Sequence, residues 1–417
     1  MRTLGLTACF ALLLLAAAAP AVAQSDEHPA PALLPAPDDA LTDALEAGEL
    51  TEAEYALERA RSAFQLGSVR REFGDVERPG GHDATLLLRD LALRQDELSG
   101  ADRTVATRLL ARPNTGDVPS GGASPNADAS RVCSQLPGVN LCVHWADDPD
   151  APVGTPDFVD AALHTLEYVW AQEITALGYR PPQDDANSLE NGGDERFDVY
   201  LDDLGADRLF GYCTSDDPER AFAYSVSAYC VLDDDYSSAQ FGEAHTASEF
   251  LEVTAAHEFH HASQFAYDWQ EDVWLLEGTA TNIEETVYPL VDDNVFFLDY
   301  FSPLTHPAVS LDRGGFGDSE YGAWIYWRYL QEKVAAGDPA ILREIWERAD
   351  SVDPAADDYS LLAVRKELTE RGLVFGVARA KGMLRDIFDS TGLTERIGSE
   401  NLFPSVRSAV KAFEERA

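Results

Sequence analysis

The sequence predicts an α+β protein, and the order of its elements is what predicts it. Short strand-like runs gather between Val132 and Leu232, and from Thr246 the apolar periodicity becomes helical and mostly stays so to the C-terminus. A helical stretch before residue 112 adds a small leader ahead of this unit. With 417 residues, 45% of them apolar, the chain can bury a sizeable core in one or two globular domains. It contains no internal repeat.

At the N-terminus, Arg2 precedes an apolar run from Leu4 to Ala19, followed by Pro20 and the small residues Ala21-Val22-Ala23. This pattern is that of a secretory signal peptide over 1–23, cleaved after Ala23. The mature chain is then expected to be secreted or periplasmic, and nothing later approaches the ~20 apolar residues that span a bilayer. Cleavage removes Cys9 and leaves Cys133, Cys142, Cys213 and Cys230. Four cysteines in an exported chain read as two disulfides, with the sequence-local pairing Cys133–Cys142 and Cys213–Cys230 preferred. Neither pair has the C-x2-4-C spacing of a tetrathiolate zinc site.

Residues 24–112 form the expected helical leader. An amphipathic pattern runs from Ala40 to Phe64, interrupted near Gly48, and Thr51 and Glu54 are spaced as a capping box. A second helical stretch covers about Ala84 to Arg112. Residues 113–130 collect Pro, Gly, Ser, Asn and Asp and read as an exposed linker. The leader is therefore either a prosegment or an accessory domain. The main domain, 131–417, opens with strands near Val132 and at Leu141 to Trp145. A helix follows from about Pro156 to Leu177, with Thr155 as N-cap, then strands at Phe197 to Leu201 and Phe222 to Leu232.

The net charge is -43, from 31 Lys plus Arg against 74 Asp plus Glu. Phosphate backbones and anionic membrane surfaces would be repelled, so nucleic-acid binding and membrane docking are not expected. The acidic surplus is either a solvated surface or includes calcium (Ca2+) sites such as Asp233-Asp234-Asp235. No segment matches the D-x-[DN]-x-[DN]-G loop of an EF-hand.

The chemistry concentrates in Thr254-Ala255-Ala256-His257-Glu258-Phe259-His260-His261-Ala262. Thr246 and Glu249 are spaced as a capping box upstream, which places the segment on a helix and puts positions i and i+4 on one face. His257 and His261 can offer imidazole nitrogens to one zinc ion (Zn2+), and Glu258 stands beside them as a base for an attacking water. The alternative is a buried helix face, since Phe250, Val253 and Phe265 continue the same stripe. Glu277 follows His261 after fifteen residues on a second helical run. A carboxylate there supplies the third ligand that a catalytic zinc requires. Glu284 returns to the same face seven residues later, where it can accept a hydrogen bond from a ligand histidine; the alternative is a solvated acid beside Glu285. His260 lies about 100° round the helix from His261 and is expected to wall the cleft or pack, rather than bind metal.

His257 to His261 followed by Trp274-x-x-Glu277-Gly278-x-Ala280-x-x-x-Glu284 resembles the gluzincin zinc metallopeptidases, whose aminopeptidase branch carries W-x-x-E-G-x-A after H-E-x-x-H. The wider chain, with its acidic helical leader, Phe197-Asp198-Val199-Tyr200-Leu201 and Tyr321-Gly322-Ala323-Trp324, is similar to a group of exported bacterial metalloproteases. The resemblance implies a zincin-like catalytic domain: a small sheet, the zinc-site helices and a mainly helical C-terminal lobe. It also implies His257, His261 and Glu277 as ligands and Glu258 as catalytic base. Gln264 and Tyr267 stand where metzincins need Gly and His, and no methionine turn is present. The aminopeptidase substrate loop G-x-M-E-N is missing too. Ser319 holds the place of that branch's transition-state tyrosine, which leaves Tyr321 as the nearest candidate for oxyanion stabilisation, against a core or surface role.

The sequence thus points to an exported zinc-dependent endopeptidase acting on a protein or peptide substrate. Its alternatives are a catalytically silent zincin-fold binding protein and a zinc hydrolase of non-peptide substrates. Oligomeric state is not legible.

Overall fold

A computed structural model describes residues 33–34, 37–78, 83–113, 130–145, 147–148, 151–152, 156–188, 190–300, 302–306, 311, 319–350, 360–378, 388 and 393–415. The expected signal peptide, linker residues 114–129 and the expected N-cap Thr155 lie outside these residues. The chain is α+β, as its element order predicts. Among the described residues no helix is long and apolar enough to cross a membrane.

Among the described residues the leader forms α1 (Ala40–Glu46), α2 (Glu52–Phe73), α3 (Thr85–Arg94) and α4 (Gly100–Leu109). The Thr51–Glu54 capping box starts α2, which continues past Phe64 to Phe73. The single helix expected from Ala84 to Arg112 is instead two. A 3-10 turn at Gln95–Glu97 ends in Leu98, whose backbone is extended, and Ser99-Gly100 restarts the helix.

The main sheet contains β1 (Ser130–Cys133), β2 (Leu141–Trp145), β5 (Phe197–Asp202), β6 (Gly211–Thr214) and β7 (Tyr229–Asp233), in the order β1-β2-β5-β7-β6. A two-stranded ribbon, β3 (Asp147–Asp148) and β4 (Ala151–Pro152), follows β2. Strands β2, β5 and β7 run parallel, and both edge strands are antiparallel to their neighbours. The strand expected from Phe222 to Leu232 is shorter, because Phe222 to Ser227 does not join the sheet. Val226 N–H donates to Phe265 O and Trp269 N–H to Tyr224 O, so this segment docks instead on the helix that carries the histidines and the loop after it. The edge strand β6 was not expected from the sequence.

Alternation along the strands assigns a partner to each sheet face. Phe197, Val199 and Leu201 point to one face, where Phe197 meets Phe259 edge-on. That face is covered by α5 (Pro156–Trp170), prolonged by a π turn at Ala171–Ala176, and by α7 (Ala247–Phe265), which is preceded by the short α6 (Ser238–Phe241). Asp198, Tyr200, Tyr229 and Tyr212 point to the other face, and there they meet the leader. Phe64 packs edge-on to Tyr212, Tyr229 Oη donates to Leu110 O, and Arg112 binds Asp198. Leader residues Leu57, Phe64, Leu88 and Leu91 accordingly share one core with Tyr212, Phe259 and Leu276.

The two disulfides join cross-strand neighbours, Cys133–Cys142 between β1 and β2 and Cys213–Cys230 between β6 and β7. After α7 come α8 (Val273–Val287), α9 (Val295–Tyr300), α10 (Ser319–Gly322), α11 (Trp324–Tyr329), α12 (Ala340–Arg348) and α13 (Ser360–Glu370), the largely helical second half that the periodicity predicts.

Candidate metal centre

Helix α7 begins as its sequence requires. Glu249 N–H donates to Thr246 Oγ1 while Thr246 N–H donates to Glu249 Oε2, the reciprocal capping box. Its residues from Val253 to Phe265 are all buried between the sheet, α5 and α8. One turn separates His257 from His261, and their Nε2 atoms face each other 3.1 Å apart.

The outer nitrogens fix what those Nε2 atoms can be. His261 Nδ1 lies 2.7 Å from Gln264 Oε1, and the Gln264 amide is oriented by donating through Nε2 to Leu276 O and Thr279 Oγ1. Gln264 Oε1 can therefore only accept, so His261 Nδ1 carries a proton. His257 Nδ1 lies 2.5 Å from Glu284 Oε1, which likewise calls for a proton on Nδ1. In neutral rings both Nε2 atoms then present lone pairs to one point, an arrangement that wants a cation between them.

Helix α8 brings Glu277 to that point. Its Oε2 is 3.3 Å from His257 Nε2 and 3.4 Å from His261 Nε2, and neither carboxylate oxygen has a hydrogen-bond partner although the side chain is buried. Ligands about 2.1 Å from a tetrahedral zinc lie roughly 3.4 Å from one another. The three donor atoms match that spacing. The glycine after Glu277 is imposed by packing: a Cβ on Gly278 would lie 2.4 Å from Trp327 Nε1, which donates to Trp274 O.

The leader supplies a fourth donor. Asp83 Oδ2 lies 3.5 Å from His257 Nε2, and Asp83, His257, His261 and Glu277 form one buried group of ligand atoms within 4.8 Å of one another. Tyr321 Oη donates to Asp83 Oδ2 at 2.7 Å, which places Tyr321 at the centre by way of Asp83. Next to the metal position, Glu258 Oε2 accepts from Thr85 Oγ1 at 3.3 Å. A Cβ on Gly211 would lie 2.8 Å from Glu258 Cγ, so only glycine lets the edge strand β6 pass this close to Glu258. A cavity of about 30 Å3 beside these groups is walled by Phe210, Val253, Thr254, Asp293 and Phe297.

Burial and mutual charge set the protonation. Burial disfavours a charged His257, but Asp83, Glu277 and Glu284 outweigh it and hold its pKa well above the usual histidine value. Burial, reinforced by the negative charges of Asp83 and Glu277, pushes Glu258 well above the carboxylate range. Burial and the charge of Asp293 push Glu284 up to about 8, against the pull of His257. The buried carboxyl groups outnumber the imidazoles, and a divalent cation would offset the negative charge they carry when ionised.

His260 faces away from this point. Its Nδ1 lies 2.7 Å from Glu173 Oε2, both side chains are fully buried, and its ring stands edge-on to Tyr179. Burial lowers the His260 pKa and raises that of Glu173, so the pair is neutral. Asp203, Asp233 and Asp234 also converge, but each Asp233 oxygen already accepts two backbone N–H groups, from Leu204 and Gly205 on one side and from Asp235 and Tyr236 on the other. That carboxylate ties two turns together.

Sequence reasoning did not find Asp83, Thr85 or Gln264 as members of the site. Asp83 carries a local signal for another role: its Oδ1 accepts from Thr85 N–H at the start of α3, the ordinary work of an aspartate before a helix. Gln264 sits one turn after His261, and that spacing was its only clue. A scan against protein-family models finds no match for the chain, and neither does a search of curated proteins.

Proposed function

We propose that the protein is a zinc-dependent metallopeptidase with a zincin-like catalytic domain, in which His257, His261 and Glu277 hold the metal and Glu258 is the general base. The observation that supports this reading is the pair of Nε2 atoms 3.1 Å apart, with Nδ1 of each ring held by Glu284 or Gln264 and the Glu277 carboxylate facing both. Zinc, when bound, would supply a Lewis acid that polarises a carbonyl and acidifies water.

The chain's own residues account for the rest. Glu284 and Gln264 hold the two rings in their tautomer and orientation. Glu258, one residue along α7 from a ligand, takes the proton of the attacking water and delivers it to the leaving amine. Peptide as the substrate class is supported by β6, an antiparallel edge strand running beside Glu258, along which an extended chain can add by backbone hydrogen bonds. The two disulfides and the acidic composition agree with an exported protein.

The test is metal analysis of the purified full chain together with cleavage of a generic unfolded protein, before and after limited proteolysis. About one zinc per chain, lost in His257→Ala and His261→Ala, is expected. A metal-free chain, or cleavage that survives in Glu258→Gln, would overturn the reading.

A further inference from the structure

We propose that Asp83 is a fourth protein ligand of the same metal, and that the segment Asp83–Thr85 lies where substrate would bind, so that the chain folds with its centre latched by its own leader. The proposal rests on the metallopeptidase reading and adds to it a residue far outside the histidine motif.

Three independent contacts place the latch. At the metal position, the Asp83 carboxylate is held by both oxygens: Oδ2 accepts from Tyr321 Oη at 2.7 Å and faces His257 Nε2, while Oδ1 accepts from Thr85 N–H at 2.7 Å. Along the backbone, Asp83 forms a parallel bridge with Gly211, on the side of β6 away from β7. That is the edge an extended substrate would use. At the base, Thr85 Oγ1 accepts from Cys213 N–H at 2.9 Å and donates to Glu258 Oε2. One short segment thus occupies the metal position, the edge strand and the catalytic carboxylate together.

Coordination arithmetic leads to the same result. A tetrahedral catalytic site takes three protein ligands and keeps one position open. His257, His261, Glu277 and Asp83 fill all four. Asp83 itself lines the small pocket, about 30 Å3, that remains beside these groups. Turnover therefore requires the Asp83 carboxylate to withdraw. The rest of the leader covers the face of the sheet that carries Tyr212 and Tyr229, with Arg112 among three aspartates. Opening is a withdrawal of Asp83 and Thr85 from these contacts.

Cobalt(II) substitution of the full-length protein tests this without relying on activity. The visible spectrum of the cobalt form is titrated with acetohydroxamate, a small bidentate metal ligand, in the wild type and in Asp83→Asn. Cobalt binds in both, and the Asn variant is expected to respond at a hydroxamate concentration at least about tenfold lower than the wild type. Equal responses in the two cobalt-loaded proteins would overturn the latch. Should Asp83→Asn not fold, Asp83→Ser, which removes the carboxylate and keeps an oxygen to accept from Thr85 N–H, replaces it, and a response no stronger than wild type then overturns the proposal. A wild-type chain that takes up no cobalt would overturn the metallopeptidase reading itself, and the latch with it; hydroxamate response separates the two only where metal is bound.

Discussion

Glu284 Oε1 lies 2.5 Å from His257 Nδ1, joining α8 to α7 on the far side of the ring from His257 Nε2. Glu277, two turns earlier on the same helix, points its carboxylate at the Nε2 atoms of His257 and His261. The two acids should therefore behave differently when removed. Glu284→Ala is expected to weaken zinc binding about 10- to 100-fold, the usual cost of losing a carboxylate behind a ligand histidine. Glu277→Ala should abolish tight binding. Competition with a chromogenic chelator measures both, and the reverse order would exchange the two assignments.

The Glu258 carboxylate meets Thr85 Oγ1, and Gly211 lies against its stem. Glu258→Gln preserves shape and the contact with Thr85 while removing the base. The variant should keep its zinc, measured by mass spectrometry, and lose about 100- to 10,000-fold in turnover of an unfolded protein. Loss of the metal in this variant would show that Glu258 is a ligand.

The parts of the fold written in local sequence were legible before the structure. The Thr51–Glu54 and Thr246–Glu249 capping boxes fix where α2 and α7 begin, because each is a contact between residues three apart. The histidine spacing likewise encodes a shared helix face. What was hidden depends on distant partners. Asp83 stands two residues before α3, where one oxygen accepts from Thr85 N–H, and only the fold carries its other oxygen to His257. The edge strand β6 is four residues long and has no room to show alternation. Phe222 to Ser227 has strand-like composition, yet its backbone groups are drawn to the end of α7 and the loop beyond. Phe64 and Arg112 of the leader complete the second face of the sheet, a contact with distant strands that no local pattern carries.

His260 adjoins His261 in sequence but pairs with Glu173 in the core. Replacing it by alanine leaves Glu173 without its partner and opens a space beside Tyr179. His260→Ala should therefore retain zinc at the wild-type stoichiometry and lose about 1–3 kcal/mol of stability, the cost of an orphaned buried polar group. Chemical denaturation and metal analysis of the same preparation check both halves. Loss of zinc equal to that of His261→Ala would show that the α7 face has been assigned wrongly.

Arg112 joins the leader to the main domain through charge. Its guanidinium is fully buried and reaches Asp185 at 2.7 Å, Asp198 at 2.5 Å and Asp216 at 2.8 Å. Burial, with the negative charges of Asp198 and Asp216, pushes Asp185 up to about 7 against the pull of Arg112. A carboxyl whose folded pKa lies above its unfolded value is favoured in its protonated form by folding. The stability it contributes is present in full below the unfolded pKa of about 3.9 and is lost as pH rises through the folded value. Replacing Arg112 with Met removes the cation from three aspartates and should cost about 3–5 kcal/mol at neutral pH. Without the cation the carboxylates hold protons to higher pH, so the variant should regain part of that loss in mild acid. The difference in Tm between wild type and Arg112→Met is accordingly expected to be larger at pH 8 than at pH 5, with the general effect of the chain's net charge cancelling in the comparison. An equal difference at both pH values would mean that the aspartates do not depend on Arg112, and that the leader is not held to the sheet by this cluster.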